Sequence, residues 1–301
     1  MAWSFTHSGW IDAPHIVEEQ MKLLPMPFMK GNAPFLDEKK TVLLYDAVRQ
    51  VSGGEIISGP QGIGDCVSWG WTGADEIIQA VQILQQRAEG RQFQAFKRQA
   101  TEALYALSRV EIGGQRGSRS DGSTGIWAAR AVSTKGTLSR DYLAAKTGKG
   151  DYDPSRAKQW GASGLPDDFE PEALQHLIKT VSKVLSFEEA AAAIQNGYPV
   201  PVCSNIGYHM DRDGQGFGRR NPRDPWNHCM LFCGVRWDRP GLAMANSWGM
   251  QSFTGPIDLN QPRNVIWVEP KDVDLMLRQG DSYAASQHMG YPEQDLVSWE
   301  H

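Results

Sequence analysis

Pro60-Gln61-Gly62-Ile63-Gly64-Asp65-Cys66-Val67-Ser68-Trp69 is the stretch from which the rest of the chain can be read. It sets a Gln and a Cys on either side of a glycine-rich turn. After the Cys, Val67, Trp71, Ala74, Ile77, Ile78, Val81 and Leu84 recur at spacings of three and four. That period predicts a long helix with one apolar face over Cys66–Ala88, stopped at Gly90. A thiol at a helix N-terminus stands where free N–H groups and the macrodipole favour the thiolate. Small residues ahead of it let the backbone turn sharply. A Gln a few residues upstream can donate to a developing oxyanion, beside the N–H of the Cys itself. The bland reading is a small buried hydrophobe at a helix start, and the choice depends on what lies downstream.

Two segments decide it. Trp226-Asn227-His228-Cys229-Met230-Leu231-Phe232-Cys233-Gly234-Val235 opens a buried apolar strand with a His. Leu242-Ala243-Met244-Ala245-Asn246-Ser247-Trp248-Gly249 is a second strand that ends in an Asn-Ser-Trp-Gly turn. A Cys, a distant His and an Asn on the next strand supply a nucleophile, a base and an amide to orient the base.

In these three segments the chain resembles the papain-like cysteine peptidases. The resemblance implies an α+β fold of two subdomains, a helical half and a strand-rich, barrel-like half, with the active-site cleft between them. It implies Cys66 as nucleophile, His228 as base, Asn246 as orienting amide and Gln61 as oxyanion donor, with Trp248 covering the His–Asn hydrogen bond at the substrate's edge. His209, in the preceding loop, is the alternative base. The expected reaction is hydrolysis of a peptide or isopeptide bond through a thioester. The same apparatus also serves an amidase or acyltransferase, and a structural or virion-associated protein can retain the fold with little activity.

Two features depart from the family pattern. Gln61 stands five residues before Cys66, one residue closer than in papain itself, so the oxyanion loop is tighter. Asp65 is expected to place a negative charge beside the thiolate and to oppose its formation.

Residues 111–125, EIGGQRGSRSDGSTG, read as a surface loop from composition alone. The resemblance implies more, because the family carries a Gly-rich segment here whose backbone pairs with extended substrate; Gly122 and Gly125 are the candidates to line the cleft. The loop is no phosphate cradle, since no strand precedes it and no Gly-Lys-Ser/Thr follows.

Length and composition bound the rest. At 301 residues, one large or two modest domains are expected. A formal charge of −5 gives no electrostatic footprint for nucleic acid or an anionic membrane, and no apolar run approaches the ~20 residues of a membrane span. No basic stretch followed by an apolar core opens the chain, so no secretory signal is read. Four cysteines, one of them assigned to chemistry, leave an odd number and argue against a disulfide framework. A reducing compartment follows, cytoplasmic, with a virion as the alternative in which an assembly partner would be expected. Cys229 and Cys233 lack a second Cys/His pair at zinc spacing, so no metal is expected, and no cofactor. A peptide or protein substrate is the expected partner.

In chain order, residues 1–58 read as an N-terminal extension, either a permanent embellishment or a removable pro-segment. Within it, 21–28 and 32–34 read as extended coil and 41–51 as a helix. Residues 59–170 read as the helical subdomain carrying Cys66, with a second helix over 93–108. Residues 171–301 read as the strand-rich subdomain carrying His228 and Asn246. There, 171–184 tends to helix, and Ser186 with Glu189 forms a capping box for another. Strands are expected at 198–204, 229–235, 242–246 and 265–268. A loop is read over 209–224, a short helix over 271–279 and a tail without periodicity after 280.

Overall fold

The computed structural model describes residues 8–23, 39–56 and 59–288. Of the extended coil read over 21–28 and 32–34, Met21 instead closes the first helix. The last turn of that helix continues through the Lys22 and Leu23 N–H bonds to the Glu19 and Gln20 carbonyls, and 24–28 and 32–34 lie outside the described residues. The helices are α1 (Pro14–Met21), α2 (Leu44–Ser52), α3 (Cys66–Ala88), α4 (Thr101–Ala106), α5 (Gly125–Thr134), α6 (Arg140–Thr147), α7 (Pro154–Ser163), α8 (Glu170–Ala173), α9 (Phe187–Gln195) and α10 (Pro270–Leu277). The strands are β1 (Val42–Leu43), β2 (Ile178–Lys183), β3 (Val200–Ser204), β4 (Tyr208–Arg212), β5 (Gly218–Arg220), β6 (His228–Arg236), β7 (Gly241–Ala245), β8 (Val265–Val268) and β9 (Tyr283–His288).

Strand β6 is the axis of the main antiparallel sheet. Its first half pairs with β3 and its far end with β1 along one edge, while β7 and then β8 follow along the other. All nine of its residues are buried, as a strand needs when elements cover both faces. Helix α3 packs across it, closely enough at Gly70 that a Cβ there would lie 3.2 Å from the Met230 carbonyl oxygen. Two hydrophobic clusters result. One joins the sheet to α2, α9 and α10. The other joins the N-terminal half of α3 to α4 and α5 and takes in Trp10, Cys66, Cys203 and Cys229.

Several elements differ from expectation. The second helix starts at Thr101 rather than at 93, because the chain before it is held extended. Glu76 and Gln79 of α3 accept from the backbone N–H groups of Gln99 and Lys97, and Gln99 bridges to Ser139. Residues 107–112 continue α4 as a wider, π-type turn. Only Glu170–Ala173 of the helix read over 171–184 forms. The rest is β2, because Ile178 and Val181 face the core and β9 pairs antiparallel with it. That pairing also overturns the reading of a patternless tail. The 209–224 loop contains the β4–β5 hairpin. The capping box forms with a small change, since Glu189 reaches back to the Leu185 N–H while its own N–H donates to Ser186 Oγ.

Candidate active site

Cys66 is the first residue of α3 and is fully buried. The loop before it is tied at both ends. The Gln61 N–H donates to the Ser247 carbonyl (2.8 Å), the Ser247 hydroxyl donates to Gln61 Oε1, and Gln61 Nε2 donates to Ile63 O (2.9 Å). The Asn-Ser-Trp-Gly turn after β7 therefore holds the loop that carries the nucleophile. On the other side, Gly62 N–H donates to the Tyr152 hydroxyl (3.0 Å), which donates to Asp65 Oδ2 (2.9 Å).

His228 opens β6, and its Nε2 lies 2.9 Å from Asn246 Oδ1 just past the end of β7. Trp248 stacks on the imidazole, with ring centroids 4.5 Å apart and planes 25° from parallel, and Trp226 meets Trp248 edge-on at 4.8 Å. Both members of the His–Asn bond are fully buried, so water does not compete for it. Nδ1 of His228 has no hydrogen-bond partner among the described residues. His209 lies instead in the β4 hairpin strand. The Cys66 sulfur accepts from the Cys229 N–H at 3.3 Å, so the residue after His228 is the one bonded to the thiol.

Burial sets the charges. It pushes the Cys66 thiol well above its ordinary range, with the Cys229 thiol acting in the same direction. It pulls His228 down to about 4 against the Asn246 bond, which acts the other way. Thiol and imidazole are both neutral at neutral pH in this closed arrangement, not a thiolate–imidazolium pair. Burial also pushes Asp65 up to about 8 despite the Tyr152 hydroxyl. Asp65 is therefore protonated at neutral pH, where it places no charge beside the thiol; once ionised, at higher pH, it opposes the thiolate as expected from sequence.

Beside its core neighbours, Cys66 is covered by a segment whose role the sequence did not reveal. The Trp10 N–H donates to the Asn227 carbonyl (3.1 Å), Ile11 N–H to Ser123 O (2.9 Å), and Ser123 N–H to Gly9 O (2.8 Å). Residues 8–11 thus cross between the His-bearing strand and the Gly-rich segment, with Gly9 backbone against the sulfur. The crossing is at backbone contact. A Cβ on Gly9 would lie 2.1 Å from Gly64 O, and one on Gly122 2.9 Å from Gly9 O. Asn227, at φ 43°, turns its peptide into the left-handed region that Asn tolerates. Gly122 has both backbone groups engaged, its N–H by Tyr105 and its carbonyl by Arg109. Gly125 N–H is held by Asp281 at 2.7 Å. The backbone pair that faces the crossing chain is that of Ser123, between the two glycines named from sequence.

Trp10 anchors the segment. Its side chain is 5% exposed, and its indole N–H donates to Asp281 Oδ2 at 2.9 Å. Asp281 also accepts from Gly125 N–H, Ile126 N–H and the Tyr283 hydroxyl. Burial raises it to about 6 although all four donors pull the other way. Trp10 was missed because one apolar residue near a terminus carries no period.

No group of three or more His, Cys, Asp or Glu among the described residues is placed to hold a metal ion. No helix among them is long and apolar enough to cross a membrane.

No protein-family profile and no curated protein matches the sequence. Solved structures do match the fold. Xylellain, a cysteine protease from Xylella fastidiosa, superposes with a TM-score of 0.55 at 11% identity, over 95% of this chain and 94% of its own. The digestive procathepsin L 3 of Tenebrio molitor gives 0.54 at 15% identity over 94% and 77%, and procathepsin B S9 from Trypanosoma congolense 0.55 at 10% over 94% and 87%. The chain has the fold of the papain-like cysteine proteases.

Proposed function

We propose that this chain is a cysteine peptidase that hydrolyses a peptide or isopeptide amide through a thioester, and that residues 8–11 hold it latent. The observation that carries the reading is the buried His228–Asn246 bond under Trp248, which leaves Nδ1 without a partner among the described residues, beside the strand residue bonded to Cys66. A His whose Nε2 is held by an amide has its other nitrogen available for a thiol proton. In this reading the segment leaves, solvent and substrate replace it, and rotation of the Cys66 side chain brings the sulfur to Nδ1. The proton passes to His228, and the thiolate attacks the carbonyl carbon. The Cys66 N–H and Gln61 Nε2, turned from Ile63 O, stabilise the oxyanion, each such donor typically worth ~3 kcal/mol. His228 then protonates the leaving amine, and water hydrolyses the thioester. An amine in place of that water makes the same site an acyltransferase. The convergence of Cys66, Cys203 and Cys229 as thiols suits a reducing compartment.

Complete burial of the nucleophile favours a second reading, a structural or assembly protein that retains the fold with the site closed. One measurement separates the two. Cys66 alkylation followed by intact mass from pH 5 to 9, on the chain and on His228→Ala, is paired with hydrolysis of a peptide library after the segment is displaced or cleaved. Peptidase chemistry predicts selective labelling of Cys66 below the ordinary thiol range and cleavage lost in Cys66→Ala. An ordinary thiol profile with no cleavage, segment displaced, would leave the structural reading.

A further inference from the structure

Two buried thiols next to Cys66 have no part in the proposed hydrolysis. Cys203 on β3 and Cys229 on β6 are directly opposed in the antiparallel register. Neither N–H goes across the pair, since Cys229 N–H donates to the Cys66 sulfur and Cys203 N–H to Ser282 Oγ (3.3 Å). They are therefore a non-hydrogen-bonded pair, the kind whose Cα atoms stand about 4.5 Å apart with side chains close. That separation is within the range a disulfide spans, roughly 4.4–6.8 Å. The Cys229 thiol donates to the Met230 carbonyl (3.7 Å), and its nearness helps hold the Cys203 thiol well above its ordinary range, after burial. The Cys229 sulfur lies over Gly70, where a Cβ would come within 2.9 Å of it. Gly70 is one turn along α3 from Cys66, on the same helix face. The missing side chain at Gly70 thus leaves room for Cys229 beside the nucleophile, with Cys203 behind it, and all three are fully buried. Cys233 takes no part, because its thiol turns to the Ala243 carbonyl in the other core cluster.

We propose that Cys66, Cys229 and Cys203 form a thiol relay that takes a hydroperoxide's oxidising equivalent from Cys66 into a Cys203–Cys229 disulfide. The first step transfers one oxygen from the hydroperoxide to Cys66, giving a sulfenic acid and leaving water or an alcohol. Cys229 then attacks that sulfur; the S–S bond forms, the S–O bond breaks, and hydroxide departs as water with the Cys229 proton. Cys203 next attacks Cys229; a Cys203–Cys229 bond forms, and Cys66 leaves and takes up the Cys203 proton. A dithiol reductant reopens the strand pair. Without a resolving thiol, a sulfenic acid proceeds to the irreversible sulfinic acid. The relay instead returns the nucleophile intact. It rests on the reading of Cys66 as the reactive thiol, but its readout needs no turnover.

The test exposes the full chain, and Trp10→Ala to uncover Cys66, to hydrogen peroxide. Samples are quenched with N-ethylmaleimide in denaturant and mapped by peptide mass. The expected product is a link between the peptides of residues 203 and 229, with Cys66 recovered alkylated. Cys203→Ala should stop at a Cys66–Cys229 link, and Cys229→Ala should drive Cys66 to sulfinic and sulfonic acids. In Cys66→Ala the strand-pair link should form at least tenfold more slowly. Sulfinic acid at Cys66 without any linked peptide, in a chain that keeps all three thiols, overturns the relay. A Cys66 that stays reduced with no link overturns it too, as does an unchanged rate in Cys66→Ala. A link without peptide hydrolysis keeps the relay and removes the peptidase reading; hydrolysis without a link does the reverse.

Discussion

Trp10→Ala removes the anchor of the segment that covers Cys66 and leaves its backbone bonds to Asn227 and Ser123 available. The indole is 5% exposed and hydrogen-bonded to the Asp281 carboxylate. Truncating a buried Trp to Ala typically costs about 3–5 kcal/mol. If the open form leaves residue 10 in water, nearly all of that falls on the closed-to-open equilibrium. Taking about 3 kcal/mol, and a factor of ten for every 1.4 kcal/mol, the open population rises by roughly two orders of magnitude. Labelling of a covered thiol tracks that population while closing is fast relative to reaction. Cys66 in Trp10→Ala should therefore react with iodoacetamide about 100-fold faster than in the parent chain. Intact mass gives the rate, peptide mapping the site, and urea unfolding the global stability. Equal Cys66 rates would refute the cover, and Trp10 would then be an ordinary core residue. Matching acceleration at Cys203 and Cys233 would point to general unfolding instead.

Gly9→Ala tests the same crossing without deleting a contact. Its Cβ has no room 2.1 Å from Gly64 O, so Cys66 labelling should accelerate, while Gly214→Ala, with nothing within 4 Å, should leave it unchanged. Asp65→Asn probes the buried carboxyl, whose folded value near 8 stands above its ordinary 3.8. The folded chain keeps a proton there that the unfolded chain releases from about pH 4 upward, so this group's contribution falls as pH rises through 4 to 8. Asn does not titrate, so the variant should match the parent at pH 3 and exceed it by a few kcal/mol at pH 8, each tenfold in proton affinity being worth about 1.4 kcal/mol. Urea midpoints at pH 3, 6 and 8 measure this, and parallel pH curves for the two chains would contradict it. Because Asp65 is neutral below pH 7, the same variant should leave Cys66 labelling at pH 6 unchanged.

The sequence by itself determined the elements whose signal is local. A 3.6-residue apolar period fixed α3, continuous apolar runs fixed β6, β7 and β8, and Asn-Ser-Trp-Gly marked the turn that brings Asn246 to His228. Each depends on neighbours a few residues apart, so each is legible without knowing what it packs against. Only the tertiary structure decided the rest. Strand β2 carries a pattern that also suits a helix, and becomes a strand because β9, about a hundred residues later, offers it a ladder. The charge state of Asp65 reversed because burial outweighs the hydrogen bond from Tyr152. The cover over Cys66 depends on Trp10 finding Asp281, a contact across 271 residues of sequence. The thiol cluster needs β3, β6 and α3 to meet at a glycine. Burial and long-range pairing are properties of the assembled chain, and no local pattern of residues encodes them.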